Sequence, residues 1–190
     1  VKVVDDFIEP MLADNIYETV NAHYGFHYGR KSYGGKKKKN DSTYLSRIFY
    51  QVMDNYTLVN TKDSFQKFLL VYMQEKLNSL YDDKKCYIKD LHFNARTNEM
   101  TDVYHQDSPF YGMADSTPPE MLGKHFTANV FLRPKELTGG GLDFAHFENI
   151  RFKPGRLAVF DSSEWHKAES FEEENTLRVT MTVFGDWVSK

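Results

Sequence analysis

Apolar positions recur along this chain with two different periods, and the change near residue 86 divides it in two. Residues 1–8 (VKVVDDFI) read as a short strand rather than a signal peptide. From Pro10, the positions Met11, Ile16, Tyr17 and Val20 suggest an amphipathic helix with proline in its first turn. Residues 25–43 read as a loop, with glycines at 25, 29, 34 and 35. The lysine run 36–39 reads as a solvated loop tip, with a flap that attracts an anionic substrate as its rival. Residues 60–81 carry the clearest helix. There Phe65, Phe68, Leu69, Tyr72, Met73, Leu77 and Leu80 recur at three- and four-residue steps, and Asn60, Thr61, Asp63 and Ser64 offer N-caps. This stripe is read as core.

Beyond residue 86 the pattern shortens to strand-like runs at 86–94, 103–107, 126–133, 141–144, 149–152, 156–161, 166–170 and 177–187. Turn chemistry separates them at Pro118-Pro119, Gly139-Gly140-Gly141 and Lys153-Pro154-Gly155. Short strands at this spacing predict a mainly β, α+β chain: a double-sheet jelly roll or barrel with its helical front packed on one sheet. One domain is expected over 1–190, with 1–85 as helical support and 86–190 as the jelly-roll core.

Composition narrows the function. The chain has 190 residues, 41% of them hydrophobic and 15% aromatic, which excludes a disordered polymer. Its net charge is −3, and apart from 36–39 it carries no basic run, so nucleic acid is the least favoured partner. No stretch reaches the ~18 apolar residues of a membrane span. The single Cys86 excludes a disulfide framework and a multi-cysteine zinc cage, and suggests a reducing, cytoplasmic setting.

Candidate chemistry then concentrates at a few positions. His105 and Asp107, two apart in Tyr104-His105-Gln106-Asp107, project from one face of a strand. Two His and one carboxylate on one face of an octahedron suit non-haem Fe(II), and His166 in Ser-Ser-Glu-Trp-His-Lys is the candidate third ligand. A His-x-acid triplet arises readily by chance in a chain with seven histidines, and His146-Phe147-Glu148 is a second one. That triplet lies too close to His166 to leave room for the intervening strands of a jelly roll. In the last strand, Leu177, Val179, Met181 and Val183 alternate with Arg178, Thr180 and Thr182. A buried arginine needs an anionic partner to offset desolvation, and no acidic residue on that strand supplies one. A bound carboxylate ligand is one candidate partner; a structural Arg–Asp pair or a solvated outer face are the rivals.

Together, His105-x-Asp107, Gly140-Gly141-Leu142-Asp143-Phe144, Lys153-Pro154-Gly155-Arg156-Leu157-Ala158-Val159-Phe160, His166 and Arg178-x-Thr180 resemble the 2-oxoglutarate/Fe(II)-dependent dioxygenases, in particular the prolyl-hydroxylase-like branch. The resemblance covers residues 86–187 well and the front loosely, through Val4-Asp5-Asp6-Phe7-Ile8. It implies a double-stranded β-helix core and Fe(II) held by His105, Asp107 and His166. It also implies 2-oxoglutarate on the iron, its far carboxylate gripped by Arg178 with help from Thr180, and ascorbate as reductant. The implied reaction converts 2-oxoglutarate to succinate and CO2 while hydroxylating an unactivated C–H bond; retention of Asp107 favours hydroxylation over halogenation. Phe131 stands where such proteins often carry a tyrosine, so Asn129, on the same strand face, is the candidate polar contact. Asn94, Ala95 and Arg96 likewise occupy a stretch where a second tyrosine is often found. The substrate is a protein or peptide side chain, a free amino acid or another small molecule, and the loop 108–125 is a candidate lid. The alternatives are a cupin-like metalloenzyme that does not use 2-oxoglutarate and a non-catalytic jelly-roll binding module.

Overall fold

In chain order the elements are β1 (Lys2–Val4), α1 (Pro10–His23), β2 (His27–Tyr28), β3 (Leu45–Met53), β4 (Tyr56–Thr57), α2 (Ser64–Asn78), β5 (Lys84–Arg96), β6 (His125–Arg133), β7 (Leu142–Phe144), β8 (Leu157–Asp161), β9 (His166–Ala168) and β10 (Arg178–Ser189). They come from a computed structural model, which describes residues 1–24, 26–28, 45–53, 56–57, 63–100, 102–107, 124–133 and 137–190, with 27–28, 45–53 and 56–57 as backbone. The lysine run 36–39, most of the candidate lid 108–125 and the N-cap candidates Asn60 and Thr61 lie outside the described residues.

Two antiparallel sheets carry the fold. The larger runs β1-β8-β6-β10-β5-β3-β2, with β4 on β3; the smaller pairs β7 with β9. His105 adds a single bridge to His166 on β9. The two-residue period of the strands explains the layering. Leu91, Phe93 and Ala95 of β5, Ala128, Val130 and Leu132 of β6, and Val179, Met181 and Val183 of β10 bury one face of the large sheet. They share a core with Ala13, Ile16 and Val20 of α1 and Leu69, Met73 and Leu77 of α2, which recur at helical spacing. On the opposite face, Phe131, Ala158 and Phe160 meet Leu142, Phe144 and Ile150 in a second, smaller core. The intervening positions of that inward face are polar. Arg96, Thr127, Asn129, Arg178, Thr180 and Thr182 are all buried there.

Local chemistry sets the ends of α2. Asp63 caps it, its carboxylate accepting from the amides of Phe65 (2.7 Å) and Gln66 (3.2 Å). At the other end, the Asn78 side chain accepts from the Cys86 amide at 2.8 Å and so starts β5 against the helix. The turn before β8 needs Gly155, whose φ is +76° and whose missing Cβ makes room for the Ile8 carbonyl.

Several expectations are corrected. The expected strand at 1–8 forms as β1, but the front also supplies β2 and β3 to the large sheet, with β3 pairing with β5 over residues 45–51 and with β4 at Val52 and Met53. Met11 is 77% exposed and Phe68 47% exposed, so neither belongs to its helix's buried stripe. The strands expected at 103–107 and 149–152 contract to single bridges at His105 and Ile150. Of the rival readings of the polar face of β10, the solvated outer wall is removed, since Arg178 is 2% exposed. No helix among the described residues is long and apolar enough to cross a membrane.

Candidate metal centre

His166 opens β9, and the reciprocal bonds His105 N to His166 O (2.9 Å) and His166 N to His105 O (3.0 Å) set the two histidines side by side. Their ring centroids are 4.6 Å apart. Each imidazole is anchored through Nδ1 to a backbone carbonyl two residues upstream, His105 to Val103 O and His166 to Glu164 O, both at 2.9 Å. A carbonyl only accepts, so Nδ1 carries the proton and Nε2 is left with its lone pair. Both Nε2 atoms face Asp107. His105 Nε2 is 3.5 Å from Oδ1, and His166 Nε2 is 3.1 Å from Oδ2. The ligand atoms of the three residues lie within 4.8 Å of one another. Lone pairs aimed at carboxylate lone pairs require a cation between them, either a proton or a metal ion. Two imidazoles and a carboxylate with their outer nitrogens already bonded are a donor set that fits a divalent ion.

Electrostatics agree with that geometry. Burial would push the His105 imidazole down, but the bonded Asp107 carboxylate, with Asp102 behind it, raises it to about 9. Burial would raise Asp107, yet the charges and hydrogen bonds of His166 and His105 hold it well below the carboxylate range. Thr127 Oγ1, on β6, donates to Asp107 Oδ2 at 3.0 Å and also meets Ser162 Oγ at 3.0 Å. Aromatic rings wall the site: Phe160 lies 4.7 Å and Phe144 6.0 Å from the His166 ring, centroid to centroid. The competing triplet His146 and Glu148 is exposed and takes no part.

Arg178 begins β10 on the same inward face as Thr180 and Thr182. Its Nε donates to the Gly140 carbonyl and its Nη2 to the Gly141 carbonyl at 3.1 Å. Its guanidinium lies 5.7 Å from the Phe131 ring and 5.9 Å from Phe152. No carboxylate of the described residues reaches ion-pair distance. Burial, and then the charge of Arg96 directly opposite in the strand register, lower its pKa. A guanidinium nonetheless stays protonated in a protein, so this is a buried cation short of an anion.

Of the remaining expected residues, Thr180 is 4% exposed and pairs in register with Asn94 and Phe131. Asn129 is not isolated, because its Oδ1 accepts from Thr182 Oγ1 at 2.6 Å. Thr182 in turn accepts from Asn94 Nδ2 (3.2 Å), and Asn94 reaches His92 Nε2, whose Nδ1 meets Asp90 at 2.6 Å. A polar chain therefore crosses β5, β10 and β6. On β6, Thr127 reaches the Asp107 carboxylate and Phe131 lies near the Arg178 guanidinium, which places Asn129 between them along the strand. Thr127, Arg96 and Asp102 join the site without a motif that marks them in the sequence. The alternation of Thr127 with Asn129 along one strand was the available signal for the first; the other two needed the register.

No protein-family model matches the sequence, and no curated protein matches it. Solved structures do resemble it. A 2OG-Fe(II) oxygenase family oxidoreductase from Burkholderia pseudomallei matches with a TM-score of 0.63 at 11% identity, over 90% of this chain and 78% of that one. A Pseudomonas putida prolyl-4-hydroxylase gives 0.60 at 14% identity, over 97% and 91%. A Trichoplax adhaerens prolyl hydroxylase, solved in complex with a hypoxia inducible factor oxygen degradation domain peptide fragment, gives 0.64 at 13% identity, over 97% and 82%. At such identities the likeness is one of architecture: this chain has the fold found in 2-oxoglutarate/Fe(II) oxygenases and prolyl hydroxylases.

Proposed function

We propose that this chain is an Fe(II)- and 2-oxoglutarate-dependent oxygenase that hydroxylates an unactivated C–H bond, with His105, Asp107 and His166 holding the metal. The observation that carries the reading is the pair of buried Nε2 lone pairs turned onto one carboxylate, inside a fold shared with such oxygenases. When bound, the ferrous ion and 2-oxoglutarate supply the oxidation, with succinate and CO2 as co-products and ascorbate as the reductant that keeps the iron ferrous.

The protein's part is to bind and orient. The carbonyls of Val103 and Glu164 fix the imidazole tautomers, and Thr127 fixes the carboxylate. Arg178, aligned by two glycine carbonyls and walled by Phe131 and Phe152, would hold the far carboxylate of the co-substrate in a site largely closed to water. Thr180 and Asn129, buried on the same inward face, would line the co-substrate. The substrate is a peptide side chain or a small molecule; the peptide-bound Trichoplax structure supports the former class.

The test is incubation with Fe(II), ascorbate and 2-oxoglutarate, following succinate. Succinate formed even without a primary substrate, and lost in Asp107→Ala, is the expected result. Metal binding without succinate would replace this reading by a cupin-like metalloenzyme, and no metal binding would leave a jelly-roll binding module.

A further inference from the structure

Asp102 lies outside the proposed ligand set, yet its carboxylate contacts Arg96, the amides of Val103 and Ala168 and the His105 ring. Its side chain is 5% exposed. Oδ2 pairs with Arg96 Nη1 at 2.7 Å and accepts from the backbone amide of Ala168 at 2.7 Å. Oδ1 accepts from the Val103 amide at 3.0 Å and lies 3.9 Å from His105 Nδ1. Three chain segments thus converge on one carboxylate: the end of β5, the strand that begins with His166, and the lead-in to His105.

The ladder shows what this does. His105 and His166 exchange both backbone bonds, so antiparallel pairing would next join residues 103 and 168. Instead Ala168 N donates to the Asp102 side chain, and the pairing ends there, one step beyond the His105–His166 bridge. Stability is a poor explanation for this arrangement. A buried ion pair such as Arg96–Asp102 gains little net energy, because desolvating each ion costs several kcal/mol. Charge is the better one. Arg96 and Arg178 stand opposite each other in register, both buried, and Asp102 is the carboxylate that pairs with Arg96. It faces the imidazole on one side and the guanidinium pair on the other.

We infer that Asp102 is a positioning residue that joins the metal end of the site to its anion end, orienting and polarising His105 while neutralising one of two adjacent arginines; the inference rests on the metal reading proposed above. Loss of its charge then acts with opposite sign at the two ends. The metal loses a nearby negative charge and a well-oriented ligand. The co-substrate's far carboxylate meets a site that is more positive.

The experiment compares Asp102→Asn with the unaltered chain and with Asp107→Ala, using Mn(II) as an unreactive probe. Mn(II) affinity is measured by titration, the ligand field by the visible spectrum of the Co(II)-loaded protein, and 2-oxoglutarate affinity at saturating Mn(II). In Asp102→Asn, Mn(II) is expected to bind about 10- to 100-fold more weakly, with an altered Co(II) spectrum and 2-oxoglutarate binding as tight as before or tighter. Mn(II) affinity within about twofold of the unaltered chain would overturn the inference. So would a parallel loss of Mn(II), 2-oxoglutarate and melting temperature, which is what a purely structural residue gives. Should Asp102→Asn fail to fold, the double variant Arg96→Gln with Asp102→Asn replaces the ion pair by neutral partners. The same Mn(II) loss is expected there, and undiminished affinity would be decisive against the inference. Asp107→Ala separates the two claims: Mn(II) bound normally by that variant would sink the metal reading itself.

Discussion

Arg178→Met removes a guanidinium that is 2% exposed and leaves an apolar side chain of similar reach between Phe131 and Phe152. Two effects on stability oppose each other. The Gly140 carbonyl loses the Nε donor and, left unsatisfied, costs about 1–3 kcal/mol, whereas Gly141 O keeps the Glu169 amide at 3.1 Å. Against this, the fold no longer desolvates a cation that pairs with no carboxylate among the described residues, a relief of several kcal/mol. The melting temperature should therefore stay within about 4 °C of the parent, roughly 1–2 kcal/mol for a chain of this size. Ligand binding has no such compensation. A charge-assisted bond to the far carboxylate is worth about 1.5–3 kcal/mol, so 2-oxoglutarate affinity should fall about ten- to a hundredfold. The assay is calorimetric titration of the Mn(II)-loaded proteins with 2-oxoglutarate and with 2-oxobutyrate, which lacks that carboxylate. The unaltered chain should prefer 2-oxoglutarate and Arg178→Met should lose the preference. Undiminished 2-oxoglutarate binding in the variant, or equal affinity for the two acids in the parent, would refute the clamp.

Other outcomes follow from the same contacts. His105 is raised to about 9 by Asp107, so its contribution to metal-free stability is complete below the unfolded value of about 6.5 and is lost as pH rises through about 9. Asp107 is lowered, so its contribution is present above about 3.9 and lost as pH falls. Thermal melts of metal-free protein should accordingly show this cluster stabilising most between those limits, while Mn(II) affinity, which requires a neutral imidazole, should rise with pH toward about 9 and release a proton on binding. Thr127→Val, which deletes the hydroxyl donor to Asp107 and the partner of buried Ser162 Oγ, should weaken Mn(II) about tenfold in titration and cost about 1–3 kcal/mol in denaturant unfolding. Gly141→Ala places a Cβ on the Ile150 carbonyl and should cost about 1–3 kcal/mol in denaturant unfolding, with weaker 2-oxoglutarate binding because the Gly141 carbonyl aligns Arg178.

What the sequence revealed and what it hid divide along the range of the interactions. His105 and Asp107 were legible as a pair two residues apart, although a single bridge at His105 rather than a full strand turns both toward one point, and the alternation of Arg178, Thr180 and Thr182 with Val179, Met181 and Val183 marked two faces. The helices were legible in type, but Met11 and Phe68 misled, since periodicity assigns a stripe and only the partner sheet decides how wide it is. Strand β3 went unread because Leu-Ser-Arg-Ile-Phe-Tyr-Gln-Val-Met has no clean alternation, and its pairing with β5 breaks register between Ile48 and Tyr50. Asp102 and Arg96 were hidden for a further reason. Their significance is a cross-strand register and a side chain that replaces a ladder bond, and neither leaves a local signature. Asn129 shares its strand face with Thr127 and Phe131, as alternation indicates, but its hydrogen bond to Thr182 joins residues from strands distant in sequence.

Iron-edge X-ray absorption on protein loaded anaerobically with Fe(II), alongside Asp107→Ala, addresses the metal centre itself. One ferrous ion per chain is expected, with the scattering of two imidazoles and a carboxylate oxygen, and with stoichiometric binding lost in the variant. Iron bound without imidazole scattering, or held equally well once Asp107 is gone, would contradict the assignment of His105, Asp107 and His166.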